Sequence, residues 1–428
     1  MADLQLNIFQ RLTRRWEAIH PYNAAQVMRI DGRVAADEAA NAWAEALRGL
    51  GLGRVHLTKQ SYRHEPLNGE FADYPLRVLD SSVCLAEFLT AELNRAFNQE
   101  DEPPFRPFLV QHENDFEFGV IYQHWIADSV SIQAVLREWF VRLFDPSAPR
   151  GKPMRKQREG YWRLFGSRGN WRLNETALAG FRSHMRHRRV RKVLTMGKRD
   201  YPSRVRLYRV DDGLIERILG YARRERCKVH DVLLAAICEA CDRHLPTQPR
   251  SNRPDMSIGS IVDLRPEAGG ELNNTFGMFL GFSKVMCRPQ DLHNWSRLLR
   301  TVASQNQVHK RNGIAQASMI WMGAAQLLDS VVPDENLYRF YRKEIPTSGG
   351  LSNVNMNVGW AGKYAPQPLK EYWRISPTGP LAPLVFSTTT LGTSLFIALT
   401  CRDALLPSPL ADDLAKTFLS RLHQVGAS

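Results

Sequence analysis

Residues 104–132 read PFRPFLVQHENDFEFGVIYQHWIADSVSI, and this stretch decides the fold. Two apolar segments flank the polar turn Glu113-Asn114-Asp115-Phe116, the pattern of a β-hairpin. On the second segment Phe116, Phe118, Val120, Tyr122 and His124 alternate onto one strand face. Beyond it Val130, Val135, Leu136, Trp139, Phe140, Leu143 and Phe144 form an apolar stripe of helical period. That helix starts at or just after Asp128-Ser129, both good N-cap residues. A strand end that opens into a helix start is where α/β proteins present reactive groups, and His124 and Asp128 stand there. The residues alone leave two readings. Asp128 caps the helix while His124 fills a strand end, or His124 accepts a proton near neutral pH while the carboxylate orients the ring or its backbone.

Outward from this stretch, helices and strands keep alternating. Residues 22–51 read as strand, turn and helix, with Asp37 or its neighbour as cap and Gly49 or Gly51 as stop. The glycines of GLGLG (49–53) follow a helix rather than a strand, so they are not a dinucleotide loop. At the N-terminus Leu4, Ile8, Phe9, Leu12 and Trp16 share one helical face, expected to dock on its own domain. Residues 204–245 give a strand and two helices, and MSIGSIVDLRP (256–266) a further strand. LVFSTTTLG and TSLFIALTCRD face each other across Gly392, and residues 407–425 form a closing helix. With 428 residues, one core does not suffice. The expected architecture is α/β: an N-terminal lobe over 1–170, a basic connector over 171–194 and a C-terminal lobe over 195–428.

No apolar run approaches the roughly 20 residues that span a bilayer, and the start lacks a basic-then-apolar signal region. A cytoplasmic protein is expected. Six scattered cysteines suit free thiols rather than a disulfide framework. Cys238 and Cys241 with His230 and His244 invite a metal reading, but one continuous helix would put the two histidines about 21 Å apart. Zinc bonds of about 2.0–2.3 Å cannot bridge that, so no metal is expected. The formal charge is +13, and residues 150–206 hold 18 Lys and Arg against three acids, so the rest of the chain is near −2. Such a stretch is a solvated connector or attracts phosphates or an acidic protein surface. No nucleic-acid-binding motif accompanies it, and no nucleic-acid partner is expected.

Nucleophile and phosphate motifs are missing: there is no G-x-S-x-G, no P-loop and no H-E-x-x-H. A catalytic His124 would therefore activate a substrate's own hydroxyl or amine.

QHWIADS (123–129) resembles the His-x-x-x-Asp core of the chloramphenicol acetyltransferase-like superfamily, which includes condensation domains, BAHD acyltransferases and wax ester synthase-type enzymes. Its setting resembles theirs too, from the Pro-x-Arg strand through turn, core strand, motif and helix. VHDVLLAAICEA (229–240) is similar to a helix of wax ester synthase-type members, and SIGSIVDLRP (257–266) to the strand whose arginine pairs with the motif aspartate. LSNVNMNVG (351–359) resembles a crossover segment with a Ser-Asn pair. Gln123 and Ser129 depart from the pattern, and NNTFGMFLG matches the Gly-Asn turn loosely.

The resemblance implies two acetyltransferase-like α/β sandwich lobes with a tunnel between them. It implies acyl transfer from a phosphopantetheine thioester, on coenzyme A or an acyl carrier protein, to an acceptor alcohol or amine, giving an ester or amide. His124 would be the general base, and Asp128 would be structural, paired with Arg265. The residues themselves leave Asp263 and Glu267 as other partners for Arg265. Ser352, Asn353 and Asn355 are the candidates for contacts with the oxyanion or substrate. No cofactor is bound permanently, and a monomer is expected because both lobes lie in one chain. A non-catalytic condensation-like module that recruits a carrier protein is the alternative.

Overall fold

A computed structural model describes residues 4–58, 61–66, 75–98, 102–149, 151–156, 189–193, 201–210, 213–247, 253–268, 274–329, 331–333, 336–344, 346–357 and 369–428, with positions 164, 178, 181, 185, 186 and 272. The chain begins with β1 (Leu4–Gln5), α1 (Ile8–Glu17), β2 (Asn23–Asp31), α2 (Ala36–Leu50), β3 (Gly53–Leu57) and β4 (Ser61–Pro66). It continues through β5 (Arg77–Leu79), α3 (Leu85–Asn94), β6 (Phe105–Gln111), β7 (Asp115–Gln123), α4 (Ser129–Phe144) and β8 (Arg155–Lys156). The second half holds β9 (Ser203–Val210), α5 (Leu214–Arg224), α6 (Val229–His244), β10 (Met256–Asp263), β11 (Thr275–Phe276) and β12 (Leu280–Cys287). Next come α7 (Pro289–Leu292), α8 (Trp295–Arg311), α9 (Ile314–Asp329), α10 (Leu337–Glu344) and β13 (Gly349–Asn355). The last elements are β14 (Leu369–Ile375), β15 (Leu384–Leu391), β16 (Ser394–Arg402) and α11 (Ser408–Ala427).

Two α/β lobes result. The N-terminal lobe is built on a five-stranded sheet in the order β14-β2-β7-β6-β5. Phe116, Phe118, Val120 and Tyr122 of β7 are buried against Trp43 and Leu47 of α2 and Val135 and Trp139 of α4. The Phe118 and Trp139 rings stack 3.6 Å apart. Gly119 lets the Phe108 ring lie against β7, since a Cβ there would come within 2.3 Å of it. The C-terminal lobe has a six-stranded sheet, β12-β10-β13-β15-β16-β9, packed through Ile258, Leu351, Phe386 and Ile397 on α5, α6, α8 and α11. Cys238 and Cys241 are buried in this core, as expected of structural thiols.

Two elements tie the lobes together. β14 lies between β13 and β15 of the C-terminal sheet in the chain, yet it pairs antiparallel with β2 at the edge of the N-terminal sheet, Trp373 opposite Val27. Its Trp373 ring also meets Phe396 of β16 edge-on at 5.1 Å. Helix α1 carries the amphipathic face read from the sequence, but Phe9 packs with Leu264, Phe279 and Met319 of the other lobe. Asn7 caps α1 in a reciprocal box with Gln10. At α2 the cap is Ala35, whose N–H reaches Glu38, so Asp37 lies in the first turn and not at the cap. Gly51, at φ 68°, closes that helix.

The basic connector, 171–194, falls almost wholly outside the described residues. Residues 189–193 dock on the C-terminal lobe, where Arg191 meets Asp242 at 2.7 Å and Arg189 meets Asp255 at 3.2 Å. Among the described residues no helix is long and apolar enough to cross a membrane, and no cluster of ligating side chains suits a metal.

Candidate active site

His124 is the first residue after β7, and its N–H continues the pairing with β2 by donating to Tyr22 O at 3.0 Å. The turn that follows brings Ala127 O to 3.2 Å from the ring's Nδ1. A carbonyl can only accept, so Nδ1 carries the proton and Nε2 keeps its lone pair. Among the described residues Nε2 has no hydrogen-bonding partner. Tyr22 stacks on the imidazole at 5.5 Å and Tyr122 meets it edge-on at 5.7 Å. Burial pulls the His124 pKa down to about 4; Ala127 O and Asp128 oppose this and the Arg374 guanidinium adds to it. The ring is neutral at pH 7.

Asp128 is fully buried, and both of its carboxylate oxygens are engaged. Oδ1 caps α4 by accepting from Ser131 N at 2.9 Å. Oδ2 accepts from Arg265 Nη1 at 2.7 Å and from Phe279 N at 2.9 Å. Arg265 also donates to Ser131 Oγ at 2.9 Å and to Asp263 Oδ1 at 3.3 Å, so two of the three carboxylates read as partners from the sequence, Asp128 and Asp263 but not Glu267, are used at once. Gly277 O accepts from Asp128 N and Ser131 Oγ, while its N–H donates to Ser131 Oγ. Gly277 has φ 149°, a conformation that favours glycine. The start of α4, in one lobe, is thereby locked onto the β11–β12 turn of the other.

Between the lobes lies a cavity of about 400 Å³, the size of a small-molecule site. Phe9, Leu12 and Trp16 of α1, Phe282 of β12, Met322 of α9 and Tyr341 of α10 give it an apolar wall. His124 faces it, with Gln26, Ser129, Ser352, Asn353 and Arg374. Arg374 is buried, yet among the described residues it has no carboxylate partner. It donates through Nε to Ser129 Oγ and through Nη2 to Ser352 Oγ, both at 2.6 Å. Gln26 Nε2 donates to the same Ser129 hydroxyl at 2.9 Å. Ser129, where the resemblance expects glycine, thus supplies the oxygen that anchors a buried cation in the same cavity wall as the imidazole.

His124, Ser352 and Asn353 are brought to one cavity, whereas Asp128 and Arg265 stand behind it. Asn353 Oδ1 is taken by Thr388 Oγ1 at 2.7 Å, which leaves its amide N–H groups. Asn355 does not reach the cavity; it is exposed and accepts from Asn357 N at 3.0 Å. Sequence reasoning missed Arg374, Gln26 and Tyr22. The available signal for Arg374 was a lone arginine inside the apolar strand EYWRI, since a charge is seldom fully buried without a specific role.

No protein-family model and no curated protein matches this chain. Solved structures do. The first condensation domain of the calcium-dependent antibiotic synthetase, in complex with a substrate analogue, is 12% identical with a TM-score of 0.74, covering 100% of this chain and 98% of that one. The condensation domain of the Monacolin K polyketide synthase MokA is 12% identical with a TM-score of 0.66, covering 100% and 98%. The epimerization domain from the third module of tyrocidine synthetase B is 13% identical with a TM-score of 0.63, covering 100% and 96%. At such identities the likeness establishes the fold, the two-lobed one of condensation domains.

Proposed function

We propose that this chain, built on the condensation-domain fold, transfers an acyl group from a phosphopantetheine thioester to a hydroxyl or amine, with His124 as general base. One observation carries the proposal: a neutral imidazole in the wall of an apolar cavity between the lobes, its Nδ1 held by Ala127 O and its Nε2 without a partner among the described residues. In that position Nε2 takes the proton of the acceptor O–H or N–H as its oxygen or nitrogen attacks the thioester carbonyl. The tetrahedral intermediate then collapses, the C–S bond breaks, and the leaving thiolate takes the proton back from the imidazolium. No acyl-enzyme forms.

Asp128 is no proton relay in this scheme, because its oxygens are spent on Arg265, Phe279 N and Ser131 N. It is a positioning residue that fixes the turn carrying the histidine. Ser352 accepts from Arg374 and keeps its own proton to give, and Asn353 keeps its amide N–H groups, so these two are the donors we assign to the developing oxyanion. The basic stretch 150–206 would draw the phosphates of coenzyme A or the acidic face of a carrier protein. Raising salt should therefore weaken donor binding more than acceptor binding, and equal sensitivity of the two would remove that assignment.

The test is His124→Ala against a panel of acyl-coenzyme A and acyl-carrier donors, with the fold monitored by circular dichroism. A positioned base contributes about 10²–10⁴-fold, and a loss in that range with the fold intact is expected. Undiminished transfer would overturn the base. Carrier binding with no transfer in either form would point instead to a recruiting module.

A further inference from the structure

We propose that the substrate occupying this cavity carries a carboxylate on an apolar body, and that Lys284 of β12 is its counter-ion. The inference deepens the transfer reading and rests on it for the substrate's role; the binding site itself stands on separate observations. Lys284 is only 7% exposed, it lines the cavity, and among the described residues its Nζ has no hydrogen-bond partner. Among the described residues its one polar contact is electrostatic, with the Phe282 ring at 5.5 Å. Buried polar groups are normally paired, so an orphaned cation in the wall of a cavity asks for a ligand.

The sheet register explains the setting. Lys284 stands opposite Gly259, where a Cβ would come within 2.7 Å of the Phe282 ring, so the ring and the lysine stem lie over bare backbone. The next residue of β10 on that face is Ser257. Ser348, just before β13, donates its N–H to Ser257 O at 2.8 Å. Both serine hydroxyls are fully buried and, among the described residues, without a hydrogen-bond partner. Two further unsatisfied hydroxyls thus lie on the backbone next to the cavity, while Lys284 itself stands in the cavity wall.

The place of the carboxylate follows from which cation still has donors to give. Arg265 is matched by Asp128 and Asp263, and the N–H groups of Arg374 are taken by the Ser129 and Ser352 hydroxyls. Among the described residues lining the cavity, Lys284 is the cation whose donors have no acceptor, so a carboxylate oxygen is the partner it lacks. Burial draws its amine down to about 7, and a carboxylate beside it would restore the proton. The class is an apolar hydroxy or amino acid, or a dicarboxylic acyl chain, with its carboxylate at Lys284 and its reacting end at His124.

Isothermal titration calorimetry with decanoate and decan-1-ol at pH 7 tests this. A charge-assisted pair should make decanoate bind about 10- to 100-fold more tightly than the alcohol. Lys284→Met and Lys284→Gln should each lose that preference and leave decan-1-ol within about twofold, a change in tens being about 1.4 kcal/mol. At pH 8 wild-type binding of decanoate should take up protons, read from buffers of different ionisation enthalpy, and the variants should take up none. Equal affinity for the two ligands, retained preference in both variants, or no binding of either at millimolar concentration would overturn the proposal. His124→Ala should bind decanoate normally whether or not transfer is lost, so failure of the lysine site and failure of the base are read separately.

Discussion

Removing the lock between α4 and the β11–β12 turn should destabilise the protein in a way that depends on which partner is lost. Asp128 is fully buried and its Oδ2 sits 2.7 Å from Arg265 Nη1. Breaking such a pair from one side costs about 3–5 kcal/mol, because the remaining charge stays buried. Asp128→Ala also removes the α4 cap at Ser131 N, worth about 1 kcal/mol. Its effect is softened because Arg265 keeps Asp263 and Ser131. Arg265→Met has no such relief, since Asp128 would retain only two backbone N–H groups. The double variant leaves no stranded charge at this pair, so its loss should fall short of the sum of the singles by about 2–3 kcal/mol. Urea unfolding followed by tryptophan fluorescence measures all four forms. Losses that add within about 0.5 kcal/mol would refute the lock.

Other perturbations have equally definite outcomes. Ser129→Gly strips the hydroxyl that accepts from Arg374 Nε, so urea midpoints should report a loss of about 1.5–3 kcal/mol, and transfer should fall. Gly119→Ala drives a Cβ to 2.3 Å from the Phe108 ring; a loss of about 1–3 kcal/mol is expected by the same assay, with the transfer rate unchanged at temperatures where the variant is folded. Arg374→Gln removes a cation that holds the imidazole neutral, so a ¹H–¹⁵N NMR titration of His124 should show its pKa rise. His124 also makes stability pH-dependent. Its folded pKa is depressed, so unfolding takes up a proton below the unfolded value of about 6.5, and its contribution is lost as pH falls from there towards 4. His124→Gln should flatten that part of the stability curve.

Local elements were legible because their periods are strong. The hairpin of β6 and β7, the α4 start at Asp128 and the αL stop at Gly51 each follow from side chains within a few positions. The Asp128–Arg265 contact spans 137 positions, and only the family resemblance joined the two residues. What could not be read is which surface a well-formed element meets. The apolar face of α1 was visible, but its packing on Leu264 and Phe279 was not. The alternation of β14 says strand, yet nothing in it says that the strand belongs beside β2. Arg374 and Lys284 escaped for the same reason, since a cation in an apolar strand acquires meaning only from the cavity it faces. Ser129 departs from the family pattern, and its role follows only from Arg374, which donates to its hydroxyl from a strand 245 positions away.

The pH dependence of kcat/KM for acyl transfer tests the central claim most directly, because it reports the free enzyme's essential base. A buried, neutral imidazole with Nε2 bare predicts an acid limb whose inflection lies near 4, with the rate still undiminished at about pH 5.5. That acid limb should vanish in His124→Ala. An inflection at or above the ordinary histidine value of about 6.5, or an acid limb that survives in the variant, would contradict it.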